Sequence, residues 1–532
     1  MNIMKILYYK SIIILSFILV FSGCDDLLKD ESVTDISADF VYGTPAGLKT
    51  GVIGLYSLER KIYNPGPHTA DIWMATRATN DLAVCRDGTI WNFASFRRVE
   101  PASWGGPKIA FMWRSWYKIV DRANTLIDAA EKMEGIDEEE RIQILAESKV
   151  ARAHAYFYLY RWFTNIFINT VPTTPENAFT LDFKVATEEE VYALLESDLD
   201  YGIENLAWES RHGQYNQGNA RHIRAKVAMF KGDWDEAAIQ AEKIINEGPY
   251  ELLSDLPAIF EGTSDAGNHK EAIYTRQFRR DTPGGGIIHW AANHFFPAYD
   301  NTPGMKRDIN IGGKNWSRIF PNDYLFSLYR KDNPNGKESD KRWDAFYTHK
   351  FYYNDPTDLP DGVQLGDEVK LYNQYGTESE QKLFYGRIHP ATIKYQDKDR
   401  GIEDLKSSKN LMIYRFAETY LIAAEAYMRK GDDAKALTYL NVIRQRAGIP
   451  DLTVINQNKI LEERGRELAL EGHRWFTLKR MGIWYDRMKN FASDPNYWHN
   501  WTKDNVKPHH INWPIPDSEL QLMPGFPQNP GY

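Results

Sequence analysis

Two segments of the chain, 227–244 and 426–443, repeat one helical pattern. In each, an alanine-rich helical stretch ends at a Lys-Gly-Asp turn, and a second helical stretch follows with an alanine five residues after the glycine. Gly232 and Gly431 can adopt the positive φ that ends a helix, and the small residue that follows lets two helices pack closely. The repeated pattern therefore predicts two helix–turn–helix pairs.

This unit is typical of tetratricopeptide repeats, in which successive units follow at intervals of about 34 residues. The two units of this chain are much farther apart, so a large insertion must interrupt the helical core. Helical periodicity also begins near Thr44 and returns over 111–133, 137–163, 188–206 and 220–247. The chain is therefore predicted to be mainly α-helical.

The insertion covers roughly 251–409 and is rich in glycine, proline, asparagine, aspartate and aromatic residues. It lacks long helical periodicity, and short strands are predicted at 271–278 and 386–395. Long irregular stretches in compact proteins are usually functional loops. We expect one domain over 36–532, with a tetratricopeptide-like helical core at about 36–250 and 410–490, the loop-rich insertion between them, and a C-terminal tail at 491–532.

The N-terminus has the pattern of a secretory signal. Lys5 and Lys10 precede a short apolar run at 12–21, and Ser22-Gly23 leads directly to Cys24. The apolar run is too short to span a membrane, and a cysteine after two small residues resembles a lipobox. We expect residues 1–23 to be removed, Cys24 to be acylated, and 24–35 to form an acidic tether.

Charge and cysteine content narrow the classes of partner. The net charge is −9, and removal of the signal peptide removes two lysines and no acidic residue. This balance argues against nucleic acid, which requires a basic face. Lipidation of Cys24 leaves Cys85 without a disulfide partner, so Cys85 is predicted to be a small buried residue. No later apolar stretch is long enough to cross a bilayer, so the lipid is the only predicted membrane link.

No catalytic or cofactor motif is evident: the sequence lacks His-Glu-x-x-His, Cys-x-x-Cys and a phosphate-binding glycine loop. The acidic residues of 355–362 fall at positions one, four and seven, which fits a calcium loop poorly but leaves a structural calcium ion open. His509-His510 is interpreted as a surface pair pointing two ways on a strand. Helical spacing predicts a salt-bridge lattice instead of an acid/base pair for five residues: Glu463, Arg466, Glu467, Glu471 and Arg474. The sequence therefore predicts no catalytic residue, no resident metal and no cofactor.

Five ordered blocks carry a family resemblance. They are Arg415–Ala426, Leu440–Gly448, Leu461–Arg474, Trp513-Pro-Ile-Pro516 and Gln528–Tyr532. Together they resemble the SusD-like (RagB/SusD) family of outer-membrane nutrient-binding lipoproteins of Bacteroidetes. The resemblance implies a lipid-anchored protein facing the cell exterior, which captures a glycan, or in some relatives a peptide, and hands it to a SusC-like TonB-dependent transporter.

Glycan capture requires exposed rings, because sugars present flat apolar faces surrounded by hydroxyl groups. Aromatic residues in irregular segments are the candidates for such a platform: Trp91, Trp104, Trp290, Tyr299 and Trp316. Arg86, Asn92 and Asn293 are candidate polar partners. Two other classes stay open. A surface glycoside hydrolase would need a carboxylate pair across a cleft, and a pure helical-repeat scaffold would bind neither glycan nor peptide.

Overall fold

The computed structural model describes most of the chain after the N-terminal region: residues 42–63, 72–86, 93, 95–97, 99–101, 106–174, 177, 183–263, 267–280, 288–331, 340–493 and 501–532. The predicted signal peptide, Cys24 and the tether 24–35 lie outside these residues, so the lipid anchor remains a prediction from the sequence.

Helices dominate the first half of the chain. In chain order they are α1 (Pro45–Lys61), α2 (Ala75–Ala78), α3 (Gly106–Lys132), α4 (Glu138–Phe163), α5 (Glu188–Asn205), α6 (Gln217–Lys231) and α7 (Trp234–Glu247). Their starts follow from capping residues. Thr44 accepts a hydrogen bond from Gly47, and Thr187 and Glu190 form a capping box at α5. These ranges confirm the helical periodicity of the sequence.

The insertion contains short helices and strands of two to five residues: α8 (Leu256–Ile259), β2 (Ala272–Arg276), α9 (Ala291–Phe295), β3 (Ile319–Pro321), α10 (Asp323–Lys331), α11 (Lys341–Phe346), β4 (Tyr347–Thr348), α12 (Glu378–Tyr385) and β5 (Ala391–Thr392). One strand, β1 (Ala83–Cys85), precedes the insertion, and another, β6 (Leu411–Arg415), follows it. The strand predicted at 271–278 is confirmed as β2. That predicted at 386–395 is reduced to β5, because a 3₁₀ turn follows at once.

Two antiparallel strand pairs connect the insertion to the rest of the molecule: β1 pairs with β3, and β2 with β6, where Ala272 lies opposite Arg415. A third pair, β4 with β5, lies within the insertion. β2 lies near the start of the insertion, and β6 leads directly from its end into the second repeat. The pairing of β2 with β6 therefore holds the two ends of the insertion together. Cys85 is buried in β1, as predicted.

The C-terminal third completes the helical core with α13 (Phe416–Arg429), α14 (Asp433–Ala447), α15 (Gln457–Leu468), α16 (Arg474–Arg480), α17 (Trp484–Phe491), α18 (Trp501–Asn505) and α19 (Asp517–Leu520). Gly232 ends α6 at φ 83°, and Gly431 adopts φ 82° between α13 and α14. The two predicted helix pairs, α6–α7 and α13–α14, share one apolar cluster in which alanines from both pairs meet. The predicted packing of the two repeats in one body is confirmed.

A buried lattice of ion pairs joins α15 to its surroundings. The carboxylate of Glu467, 0% exposed, lies 2.5 Å from Arg415, 2.6 Å from Arg446 and 2.9 Å from Arg342. Burial alone would raise the pKa of Glu467, but the three arginines lower it well below its ordinary value. The predicted lattice is confirmed, but most of its ion pairs are made with distant segments. One reason is that α15 ends at Leu468, so Glu471 and Arg474 lie beyond the helix that the spacing predicted.

No described helix is both long and apolar enough to pass through a bilayer. The interpretation of His509-His510 as a surface pair on a strand is wrong. Both residues lie in a 3₁₀ turn at Pro508–Ile511, and His510 is buried against the ring of Phe96.

Candidate functional site

Two half-buried tryptophans stack on each other in the insertion. The ring centroids of Trp290 and Trp316 are 4.9 Å apart and the ring planes differ by 15°, which is a stacked geometry. Trp290 directly precedes α9, and Trp316 lies three residues before β3. The backbone N–H of Trp316 donates to the carbonyl of Asn293 at 2.8 Å, so α9 holds both rings in one place. We call this pair the tryptophan shelf.

Three cationic side chains surround the tryptophan shelf. The guanidinium carbon of Arg318 lies 4.3 Å from the ring centroid of Trp316, and the Lys406 ammonium lies 5.3 Å from that of Trp290. Arg86 donates from Nη2 to the carbonyl of Trp316 at 3.0 Å. Arg318 and Lys406 are each within cation–π distance of one ring. The site thus combines apolar ring surface with N–H donors.

Strand-like backbone pairing brings these cations to the rings. Arg86 follows β1, and its N–H donates to the carbonyl of Arg318 at 2.8 Å as a continuation of the β1–β3 pair. Lys406 precedes Ser407, which exchanges backbone hydrogen bonds of 2.8 and 2.9 Å with His289 beside Trp290. Three segments distant in sequence therefore meet at one shelf.

Sequence reasoning identified Trp290, Trp316 and Arg86 and missed Arg318 and Lys406. Arg318 could have been found, since it stands two residues after Trp316 in an irregular segment. Lys406 could not have been found from the sequence, because only the isolated β-bridge between His289 and Ser407 brings it to the rings.

Two of the residues predicted to contact a ligand are buried and help to hold the fold together. Tyr299 is 0% exposed and packs in a separate apolar cluster with Met305 and Phe351. Its hydroxyl donates to the carbonyl of Asp308 at 2.9 Å. Asn293 is also buried, and its amide donates to the carbonyl of Leu405 at 2.7 Å. The expectation that both side chains are offered to a ligand is corrected, because buried polar atoms are engaged in holding loops together.

Trp91, Asn92 and Trp104 lie outside the described residues, so their part in the site stays a prediction. Arg86 is the last described residue before 87–92, and it lies against Trp316.

A larger groove lies elsewhere, between α3, α5 and the segment that joins α4 to α5. Its volume is about 830 Å³, and its walls include Tyr117, Phe167 and Phe183. Tyr117 and Phe167 stack with centroids 4.2 Å apart, and the Tyr117 hydroxyl donates to the Phe167 carbonyl at 3.0 Å. Among the described lining residues the one cation is Lys184, which lies 3.2 Å from Glu190, whereas three cations surround the tryptophan shelf.

The donor groups of the described residues offer one candidate metal site. Within the described ranges, one group of three candidate ligands comes together, Glu100 with His509 and His510. His510 accepts the Lys507 backbone N–H at Nδ1, 3.1 Å away, so its neutral ring carries the proton on Nε2 and offers no second lone pair. Burial, with His509 and Lys507 nearby, lowers the pKa of His510 to about 3. The residues do not fit a metal centre.

The calcium loop left open by the sequence gains no support from the described residues. The segment 355–362 does not bring three carboxylates within reach of one ion. Asp355 instead accepts hydrogen bonds from the N–H and hydroxyl of Thr357, at 3.0 and 2.7 Å.

The fold and the site define a class: mainly helical proteins in which a tetratricopeptide-like core carries a long insertion with a surface shelf of rings. Two family models match most of the chain. One, described as "SusD family", matches residues 270–532, and one, described as "Starch-binding associating with outer membrane", matches residues 61–226. The chain belongs to the SusD-like (RagB/SusD) family.

Relatives and solved structures agree with this membership. SusD-like protein P25 of Formosa agariphila is 24% identical, covering 98% of this chain and 98% of its own length. A solved SusD homolog from Bacteroides thetaiotaomicron superposes with a TM-score of 0.74 at 19% identity, covering 94% of this chain and 100% of the other. A solved laminarin binding SusD-like protein superposes with a TM-score of 0.70 at 22% identity, covering 91% and 99%. The predicted family and the predicted mainly helical fold are confirmed.

Proposed function

We propose that this protein is a cell-surface lipoprotein of the outer membrane that captures a glycan and delivers it to a SusC-like TonB-dependent transporter. In this proposal acylated Cys24 is the anchor, and the tryptophan shelf is the capture site. The single observation that carries the proposal is the stacked, half-buried Trp290–Trp316 pair within reach of three cations. The starch-binding description of one family model and the laminarin binding relative of the same fold support it.

The geometry suits a saccharide for a physical reason. A sugar ring presents C–H groups on its faces and hydroxyl groups around its rim. Indole faces supply apolar contact at little cost in entropy, because a tryptophan has two side-chain torsions to fix. Arg318 and Lys406 lie 4.3 and 5.3 Å from the ring centroids and carry N–H donors of the kind that hydroxyl oxygens accept.

Binding without turnover follows from the charges at the shelf. Glycoside hydrolysis uses a pair of carboxyl groups, one of which must hold a proton near neutral pH. Among the described residues, Arg318, Lys406 and Arg86 place cationic groups at these rings. Glu467 and Glu471 are instead buried in the ion-pair lattice, where arginine and lysine partners keep both ionised. We therefore infer a binding protein and not an enzyme.

A peptide is the second candidate ligand, because a stacked indole pair with cations also accepts aromatic and acidic side chains. Isothermal titration calorimetry on the lipid-free protein distinguishes the two, using maltooligosaccharides, β-1,3-glucan oligosaccharides and a peptide mixture. Affinity for one saccharide class and none for peptides is expected. If only peptides bind, the proposed ligand is a peptide and not a glycan. If neither binds, the protein is better explained as a pure helical-repeat scaffold.

Variants assign the site. Trp316→Ala should cost about 2 kcal/mol of binding free energy, or roughly thirtyfold in affinity, the scale of an aromatic hot spot. Phe183→Ala, in the larger groove, is the matched control and should leave affinity unchanged. The reverse result would move the capture site to that groove. Chromatography of the same mixtures checks for cleavage, and any product would refute the binding-only proposal.

A further inference from the structure

A small internal cavity lies between α4, α16 and the described segments 62–63 and 73–77. Its volume is about 30 Å³, room for one small ligand, since a single water needs about 10–15 Å³ on this scale. Aromatic and cationic residues make up most of the wall: Tyr63, Trp73, Arg77, Trp116, Tyr158, Arg161, Trp162 and Phe476. Nearly all of these side chains are buried.

Arg161 in this wall is a buried cation that has no carboxylate partner among the described residues. It is 2% exposed, and its Nε donates to the carbonyl of Phe157 at 3.1 Å. Its guanidinium lies 4.0 to 4.6 Å from the ring centroids of Phe157, Tyr158 and Phe476, while Nη2 is buried without an acceptor. Arg480 differs, since it holds both oxygens of Glu425 at 2.7 and 2.8 Å.

Three tryptophans add further donors to the same wall. The indole N–H groups of Trp73, Trp116 and Trp162 are buried and have no acceptor among the described residues. The charged acceptor at the described wall is already paired. The carboxylate of Glu471 is held by Arg415 and Lys394, and the Tyr414 hydroxyl is hydrogen bonded to His154.

A cavity that places two guanidinium groups beside three unpaired indole N–H groups fits an anion better than water. A water molecule could donate to the tyrosine hydroxyls of the wall, but a halide accepts from several N–H groups at once. Only the anion also supplies the counter-charge that a buried guanidinium requires. Arg77 places a second guanidinium at this wall, with Nη1 donating to the Trp73 carbonyl at 3.1 Å.

We propose that this cavity binds one small monovalent anion of the halide class, which neutralises Arg161. The site is separate from the tryptophan shelf and does not depend on glycan binding. Its size selects chloride or bromide and excludes organic anions such as gluconate. The anion is thus a structural ligand of the helical core.

Matched salts test this proposal on the mature protein in detergent. Thermal unfolding is measured at an ionic strength of about 0.15 M in sodium chloride, sodium bromide or sodium gluconate, so that general screening is equal. The halides should raise the midpoint by on the order of 3 °C, and a bromide-grown crystal should give an anomalous peak inside the cavity. Equal midpoints in all three salts, or a cavity without bromide, would overturn the proposal.

Two variants assign the effect to the cavity. Arg161→Gln removes the charge and should abolish the halide shift, whereas Arg480→Gln removes a buried but paired guanidinium and should keep it. A shift that survives in Arg161→Gln, or is lost in both, contradicts the proposal. If Arg161→Gln does not fold, Trp116→Phe removes one donor without changing charge. It should raise the half-saturating bromide concentration roughly fivefold, the scale of one hydrogen bond, and an unchanged value would count against the site.

Discussion

Replacing Glu467 with glutamine measures how much the buried ion-pair lattice stabilises the fold. The substitution keeps the shape of the side chain and removes the charge that three guanidinium groups share. Breaking a buried ion pair from one side typically costs 3–5 kcal/mol, because the remaining charge stays buried. Each arginine keeps other acidic partners: Glu271 and Glu471 for Arg415, Glu271 for Arg446, and Asp340 and Glu463 for Arg342.

That redundancy sets the expected loss at the lower end of the range, about 3 kcal/mol in the free energy of unfolding. Urea denaturation followed by tryptophan fluorescence is the assay, with Glu247→Gln as the control. Glu247 pairs with Lys243 on the surface of α7 and is 48% exposed, so its loss should cost less than about 0.5 kcal/mol. A Glu467→Gln variant as stable as this control would refute a stabilising role for the lattice.

The dependence on pH gives a second check on the same substitution. The folded-state pKa of Glu467 lies well below its unfolded value of about 4.3, so its stabilisation is fully present above about pH 5 and is lost as pH falls through the folded pKa. The stability gap between wild type and Glu467→Gln should therefore narrow below about pH 4. A gap of constant size down to pH 3 would mean that packing, and not charge, causes the loss.

Other predictions concern the turn and the anchor. Gly431→Val should destabilise the protein by about 1–3 kcal/mol in the same assay, because it forces a β-branched residue to φ 82°. No described atom beyond the adjacent residues lies within 4 Å of the new Cβ, so the loss would come from the backbone conformation and not from a clash. Wild-type stability would contradict the left-handed turn. Cys24→Ala should be released from the outer-membrane fraction into the soluble one, as judged by immunoblotting. Membrane retention at wild-type levels without the transporter would disprove lipid anchoring.

Features of the fold that depend on neighbouring residues could be predicted from the sequence. The turns at Gly232 and Gly431 were identified correctly, because a positive-φ glycine between two helical stretches is a local signal. The pairing of Glu463 with Arg466 was equally accessible at a spacing of three residues in α15. Arg342 and Arg415 could not be assigned to this lattice, since only the folded insertion brings them to α15.

The candidate site was only partly predictable for a related reason. An aromatic residue in an irregular segment can face solvent or fill a small core, and the sequence does not distinguish the two. Trp290 and Trp316 are half-buried at the surface, whereas Tyr299 is the centre of its own apolar cluster. The difference is set by how the loops fold over one another. Lys406 shows the same limit, because its neighbour Ser407 reaches His289 from a distant part of the chain.

The pairing of β2 with β6 has a consequence for how the chain reaches its native state. Ala272 and Arg415 are roughly 140 residues apart, and their pairing closes a loop that contains most of the insertion. Closing so long a loop costs only slightly more entropy than closing a short one, but contacts of such high order form slowly. The α6–α7 pair forms through contacts between neighbouring segments and can form early, whereas its packing against α13 must wait until the insertion has folded. During that interval β2 presents an unpaired edge, which favours aggregation.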